Sequence, residues 1–337
     1  MTSSPFMARP TTVSMVMLKV LGALLPGIAL YAWFYGAGML VQIALASISA
    51  LAAEAAMLKA RGQPIGFFLK DGSALVTAWL LALSMPPLGA WWMIVVATLF
   101  AIVIAKQLYG GLGNNPFNPA MVGFAVMIVA FPAQMAQWGS AGAHLSAGDQ
   151  LAYIFTRALP PGVDAIASAT PLDHLKTQLT LGASVGDTLA EPVYGHLAGA
   201  GGEWIALAYL AGALFLWRKR LIPWQTPLAM LAGVAALALP LWLVDPAHFA
   251  NPLFHVFAGA TMLGAAFIVT DPVTGPTTPR GRLIFGFSVG VLVYVIRVFG
   301  GFPDSVAFAV LIMNIAVPFI DQATRPPAFG AKKGGRA

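Results

Sequence analysis

The sequence predicts an all-α polytopic membrane protein: about ten transmembrane helices in two inverted five-helix repeats, with a large extracytoplasmic loop after the fifth. Three observations predict it. Of 337 residues, 59% are hydrophobic and 9% charged, whereas a soluble domain carries roughly 25% charged residues. Ten apolar runs approach the roughly 20 residues that a spanning helix needs. Basic residues gather on alternate connections between those runs, as the positive-inside rule requires.

In order, the runs lie at 20–37, 39–57, 73–85, 91–108, 119–138, 204–217, 226–244, 253–270, 283–299 and 305–319. The third is short and ends in Pro86-Pro87, the mark of a broken or partly re-entrant helix. The sixth is also short, with apolar sequence before it in which to begin earlier. With the N-terminus in the cytoplasm, Lys59, Arg61, Lys70, Lys106, Arg218, Lys219, Arg220, Arg280 and Arg282 fall inside, as do the basic residues from Arg325 onward. Only Arg157, Lys176 and Arg297 fall outside. The net charge of +6 is therefore a topological signal and not a nucleic-acid footprint. The first run stays as a span, and no cleavable signal is needed to explain it. Residues 1–19 are then a cytoplasmic segment, 20–138 the first repeat, 139–203 the extracytoplasmic loop, 204–322 the second repeat and 323–337 a cytoplasmic tail.

Inversion of the halves follows from a duplicated order of features. The stretch from "SMPPLGAWW" to "NNPFNPAMVGFAVMI" and that from "VTDPVTGPTTPRGR" to "SVAFAVLIMNI" each hold a span ending at proline, a turn and a second span. A Gly-Gly pair, a polar loop with proline and a third span then follow; the pairs are Gly110-Gly111 and Gly300-Gly301. Five spans per unit is an odd number, so the two units must face opposite ways, an arrangement that places binding sites at the repeat interface.

The chain contains no cysteine, which excludes disulfides and thiolate-held iron–sulfur clusters. Its five histidines have no metal-ligand spacing. Three stretches carry the remaining chemistry. In "DAIASATPLDHLK", Thr170 has no activating base beside it. Its residues suit a helix start, with Thr170 as the cap, Pro171 at the first position and Asp173 in the first turn. They equally suit a modification acceptor, because Ala167, Ser168 and Ala169 are small and a helix N-terminus favours a phosphate on the hydroxyl. In "GGLGNNPFNPA", Asn118 precedes Pro119 as a cap would. Asn115 and Asn118 also offer amide donors and acceptors that suit the edge of a heteroaromatic ring. In "TDPVTGPTTPRGR", Asp271 closes the eighth span. It is either an ordinary helix-terminal acid or a carboxylate that admits an ion. Glu54, among apolar residues in the second span, and Asp321, at the end of the tenth, invite the same two readings.

The stretch "DAIASATPL" resembles the flavinylation motif shared by the Rnf D subunits and the B subunits of the Na⁺-translocating NADH:quinone oxidoreductases. The pattern there is Asp, a hydroxyl residue, a small residue, Ala, Thr, Pro, Leu. Matched onto it, Asp164 is the leading acid, Thr170 the acceptor, and Ser168, Ala169, Pro171 and Leu172 its frame. Ala167 departs from the pattern where a hydroxyl is frequent. The "NPFNPA" and "TDPVTGPTTPRGR" stretches follow the family's order, so the resemblance covers nearly the whole chain. It implies FMN joined through its phosphate to Thr170, and non-covalent riboflavin near Asn115 and Asn118. It also implies a member of an Rnf complex that couples electron transfer between NADH and ferredoxin to movement of Na⁺ or H⁺. Its partners would be an extracytoplasmic flavin subunit, other membrane subunits and a flavin transferase. Its place would be the inner (plasma) membrane of a bacterial cell. The short tail and the lack of a long N-terminal extension favour the Rnf branch. Inverted repeats also suit a solute channel or secondary transporter without flavin, and fold alone does not choose between the two.

Overall fold

The computed structural model describes residues 12–139, 145–160, 163, 166–302 and 304–326. The chain opens with α1 (Val13–Tyr35), capped by Thr12, and α2 (Gly38–Ala60). A short α3 (Ile65–Leu69) leads to α4 (Ser73–Ser84), which has 12 residues. That length rises about 18 Å, well short of the ~30 Å hydrocarbon core of a bilayer. A buried non-helical stretch, 85–90, then enters α5 (Trp91–Leu99), which continues as a π-helical segment Phe100–Gln107. α6 (Pro119–Ala130) stops at Phe131, and a single turn, α7 (Pro132–Met135), follows. The fifth span is thus shorter than the expected 119–138, because Pro132 has no N–H with which to continue the ladder.

The segment expected as a loop is instead largely folded. β1 (Trp138–Gly139) pairs antiparallel with β2 (Ala167–Ser168), and α8 (Ala147–Thr156) lies between them. α9 (Pro171–Thr180) and α10 (Val185–Leu189) complete this face of the molecule. The second half comprises α11 (Gly202–Arg218), α12 (Gln225–Val244), α13 (Pro252–Phe257), α14 (Thr261–Leu263), α15 (Pro279–Phe299) and α16 (Val306–Thr324). A π-helical segment, Gly264–Ile268, prolongs α14. The eighth span, expected to be continuous over 253–270, is broken at 258–260, where Gly259 takes the left-handed φ of +61°.

Among the described residues, five helices, α1, α2, α12, α15 and α16, are long and apolar enough to cross a membrane. Ser73–Ser84, Trp91–Gln107 and Pro119–Ala130 are shorter apolar helices of the same bundle. The chain is therefore an all-α, multi-pass membrane protein. Glycines set the close crossing between α12 and α15. A Cβ on Gly233 would overlap the Phe287 carbonyl, and one on Gly290 the Met230 carbonyl, the close backbone approach that small residues permit in membrane bundles. α1 packs against α11 and α6 against α16; within the halves α2 meets α4 and α5, as α12 meets α13 and α15.

Irregular backbone inside the helix bundle has to be satisfied by protein groups. In the stretch 85–90, Gln42 Nε2 donates to the Gly89 carbonyl at 2.6 Å and Arg157 Nη1 to the Leu88 carbonyl at 2.7 Å. At the break before α14, the His255 carbonyl accepts from Arg297 Nη1 at 2.8 Å and from Thr261 Oγ1 at 2.9 Å. The Ala260 N–H donates to Asp304 at 3.2 Å.

Candidate functional site

Thr170 is the N-cap of α9. Its Oγ1 accepts from the Asp173 N–H at 3.1 Å and donates its proton to Asp173 Oδ2 at 2.7 Å. Pro171 occupies the first helical position and Asp173 the first turn, the arrangement read from the sequence. Ala169 is exposed, Ser168 and Thr170 are partly exposed, and Leu172 is buried. The strand before Thr170 is pinned to β1, just after α7: Ser168 opposes Trp138 in the β pair and its Oγ donates to the Trp138 carbonyl at 3.4 Å. Asp164 lies outside the described residues.

The body of α9 is fixed from below. Leu172 and Leu175 join Tyr194 and Phe254 in a separate apolar cluster. The Tyr194 hydroxyl donates to the Pro171 carbonyl at 3.0 Å and stands 3.0 Å from His174 Nδ1, while His174 Nε2 lies 3.4 Å from Glu191 Oε2. Burial, with Glu191 nearby, pushes the Tyr194 hydroxyl above its ordinary pKa and keeps it a donor. Lys176 Nζ donates to the carbonyl oxygens of Gly300 and Arg297. Burial lowers the Lys176 pKa, against the opposing pull of Asp173. A rigid platform thus presents one hydroxyl at a helix N-terminus, with a carboxylate in place to accept its proton. These groups fit a phosphoester, since the positive end of the α9 dipole favours the added negative charge.

On the opposite face, Asn115 and Asn118 are both buried. Asn118 Oδ1 caps α6 by accepting from the Met121 N–H at 3.2 Å, and Asn115 Nδ2 donates to the Phe117 carbonyl at 3.1 Å. The fold adds a third asparagine that the sequence pattern did not bring to them. Asn314 Oδ1 accepts the Asn118 N–H at 3.1 Å, and Asn314 Nδ2 donates to the Thr274 carbonyl at 3.0 Å. A buried amide in an otherwise apolar span was the signal for it. The donor set fits a heteroaromatic ring edge through the amides left beside these bonds, the Asn118 Nδ2 and the Asn115 carbonyl.

Two of the three candidate acids meet on one turn. Asp271 accepts from the Val273 N–H at 3.0 Å and from Thr274 Oγ1 at 2.9 Å, while Asp321 accepts from the Thr277 N–H at 3.0 Å. Glu54 stands apart. Its Oε1 takes Lys106 Nζ at 2.7 Å and Gln107 Nε2 at 2.8 Å; Lys106 also donates to Ser73 Oγ at 2.7 Å. Lys106 is the partner that sequence alone did not supply, although a lysine inside an apolar run calls for one. Among the described residues, no group of three or more His, Cys, Asp or Glu side chains is placed to hold a metal.

A sequence model of the NQR2, RnfD, RnfE family matches residues 1–330. The D subunit of the ion-translocating oxidoreductase complex of Escherichia fergusonii is 52% identical over 346 residues, covering 98% of each chain. The protein of the same name from Pseudomonas aeruginosa strain UCBPP-PA14 is 54% identical over 323 residues, covering 95% of this chain and 93% of its own. That of Escherichia coli K12 is 50% identical over 351 residues, covering 98% of each. With near-complete coverage and a matching family model, this chain belongs to the NQR2, RnfD, RnfE family.

Proposed function

We propose that this chain is the D subunit of an Rnf-type complex, carrying FMN on Thr170 and riboflavin beside Asn115 and Asn118, and coupling electron transfer between NADH and ferredoxin to the movement of Na⁺ or H⁺. The relatives named as members of ion-translocating oxidoreductase complexes support the general class. The observation that carries the flavin reading is the Thr170 hydroxyl, held on the outer platform with Asp173 as its proton acceptor. On attachment a phosphorus–oxygen bond would form at Thr170 Oγ1 as the phosphoanhydride bond of a flavin dinucleotide donor breaks and its nucleoside monophosphate leaves, and Asp173 would take the hydroxyl proton. The flavins supply the electron transfer when bound; the chain's residues hold, orient and seal them.

Ten spans in two inverted repeats fit the paired contacts of α1 with α11 and α6 with α16. They also fit an irregular third span in each half, α4 giving way to the non-helical stretch 85–90 and the eighth span broken at 258–260. In this reading both termini are cytoplasmic, the membrane is the bacterial inner membrane, and α8–α10 face outward toward an extracytoplasmic flavin subunit. Asp271 and Asp321 line the ion's cytoplasmic approach, with Glu54 deeper and exchanging partners with Lys106.

The test is a denaturing gel of protein matured in its native host. Wild type and Thr170→Ser retain a fluorescent flavin band, and Thr170→Val is dark. Asn118→Leu keeps the band but releases less flavin on acid extraction. A dark wild-type band with a bare peptide around Thr170 by mass spectrometry rejects the reading and leaves a permease in its place.

A further inference from the structure

We infer that a cavity of about 370 Å³ between the α11–α12 connection and the turn after the eighth span is a binding site for the headgroup of an anionic phospholipid. Trp217, Arg220, Trp224, Asp271 and Arg282 are among its walls. Two arginines and one carboxylate share its lining, and that carboxylate is held within its own turn by the Val273 N–H and Thr274 Oγ1. Arg282 is fixed at the rim, its Nε donating to the Pro276 carbonyl at 3.2 Å. Trp224 precedes α12 as its N-cap without a side-chain capping bond, so the first N–H groups and the positive end of this 20-residue helix join the same rim.

Arg220 carries the second mark. Its φ of +56° is a left-handed conformation just past the end of α11, a place where glycine is the usual residue. An arginine kept there against backbone strain points to a use for its charge. Trp217 and Trp224 are 51% and 49% exposed, as aromatic residues are at the membrane–water boundary. Leu214, Phe215 and Leu228 extend the apolar surface from the cavity along α11 and α12, where acyl chains would lie. That surface selects a lipid over a free phosphate, and basic pockets between spans recognise such headgroups. The inference is independent of the flavin reading.

Native mass spectrometry of the whole chain, released from nanodiscs of equal phosphatidylglycerol and phosphatidylethanolamine, tests it. Wild type retains phosphatidylglycerol in preference to phosphatidylethanolamine. Arg220→Gly and Arg282→Gln each reduce that retention about fivefold, while Arg218→Gln, outside the cavity, leaves it unchanged. Arg220→Gly relieves the left-handed strain, so its melting temperature matches or exceeds that of wild type, and its loss of lipid is not a loss of fold. Equal retention of both lipids, or retention indifferent to both cavity variants, overturns the proposal. Displacement of the lipid by millimolar inorganic phosphate does so too, since it makes this a free-phosphate site.

Discussion

At the scale of single residues, the Glu54–Lys106 pair defines what the buried charges of this bundle demand. Both side chains are almost wholly inaccessible, at 3% and 2% exposure, and Glu54 Oε2 is buried without a hydrogen-bond partner. Removing one member leaves an uncompensated charge in a poorly solvated place, which costs about 3–5 kcal/mol; replacing both with apolar groups can be nearly neutral. Lys106→Met is therefore expected to lower the melting temperature of the detergent-solubilised protein sharply. Adding Glu54→Gln should restore most of the loss. Equal melting of the single and double variants rejects the coupling. Thr170 and Asn118 were readable as caps because a capping residue followed by proline is a local rule, decided by neighbours in sequence. Glu54 was readable as unusual, but its partner 52 positions away was not, since nothing local specifies which distant helix supplies the counter-charge.

Among the elements, the long apolar helices were legible from composition, and their ends shifted. α1 begins at Val13 and not at 20, and α16 runs on to Thr324 beyond 319, because polar and basic residues extend a helix past the hydrocarbon without interrupting its hydrogen bonds. The broken eighth span was not legible, since residues 253–270 are nearly all apolar and hydropathy is blind to backbone path. The clue was Gly259, whose missing Cβ leaves room for Leu172 of α9. The α12–α15 crossing rests on the same device and gives the sharper test. Gly290→Ala drives a methyl into the Met230 carbonyl and should destabilise by about 1–3 kcal/mol. Gly22→Ala on α1 meets nothing within 4 Å and should stay within about 0.5 kcal/mol of wild type. Indistinguishable melting curves for the two variants overturn the assignment of this helix pair.

For the molecule as a whole, orientation is the property on which the two candidate flavin positions depend, and the absence of cysteine makes it easy to measure. A cysteine at Thr180, exposed at the end of α9, should react with a membrane-impermeant maleimide in intact spheroplasts. One at Lys219, exposed beyond α11, should react only after lysis. The opposite pattern inverts the topology and moves Thr170 to the cytosol. At this scale the basic residues supply an expected orientation, which the labelling tests, and the connections were not legible. It marked the "NPFNPA" and "TDPVTGP" stretches separately, without the amide that joins them. Asn314 grips the first with its carbonyl and the second with its NH₂, so the two loops hang from one side chain on α16 like pans on a single balance arm. Asn314→Leu should therefore release both loops at once, read as faster amide exchange at 115–118 and 271–277 alike.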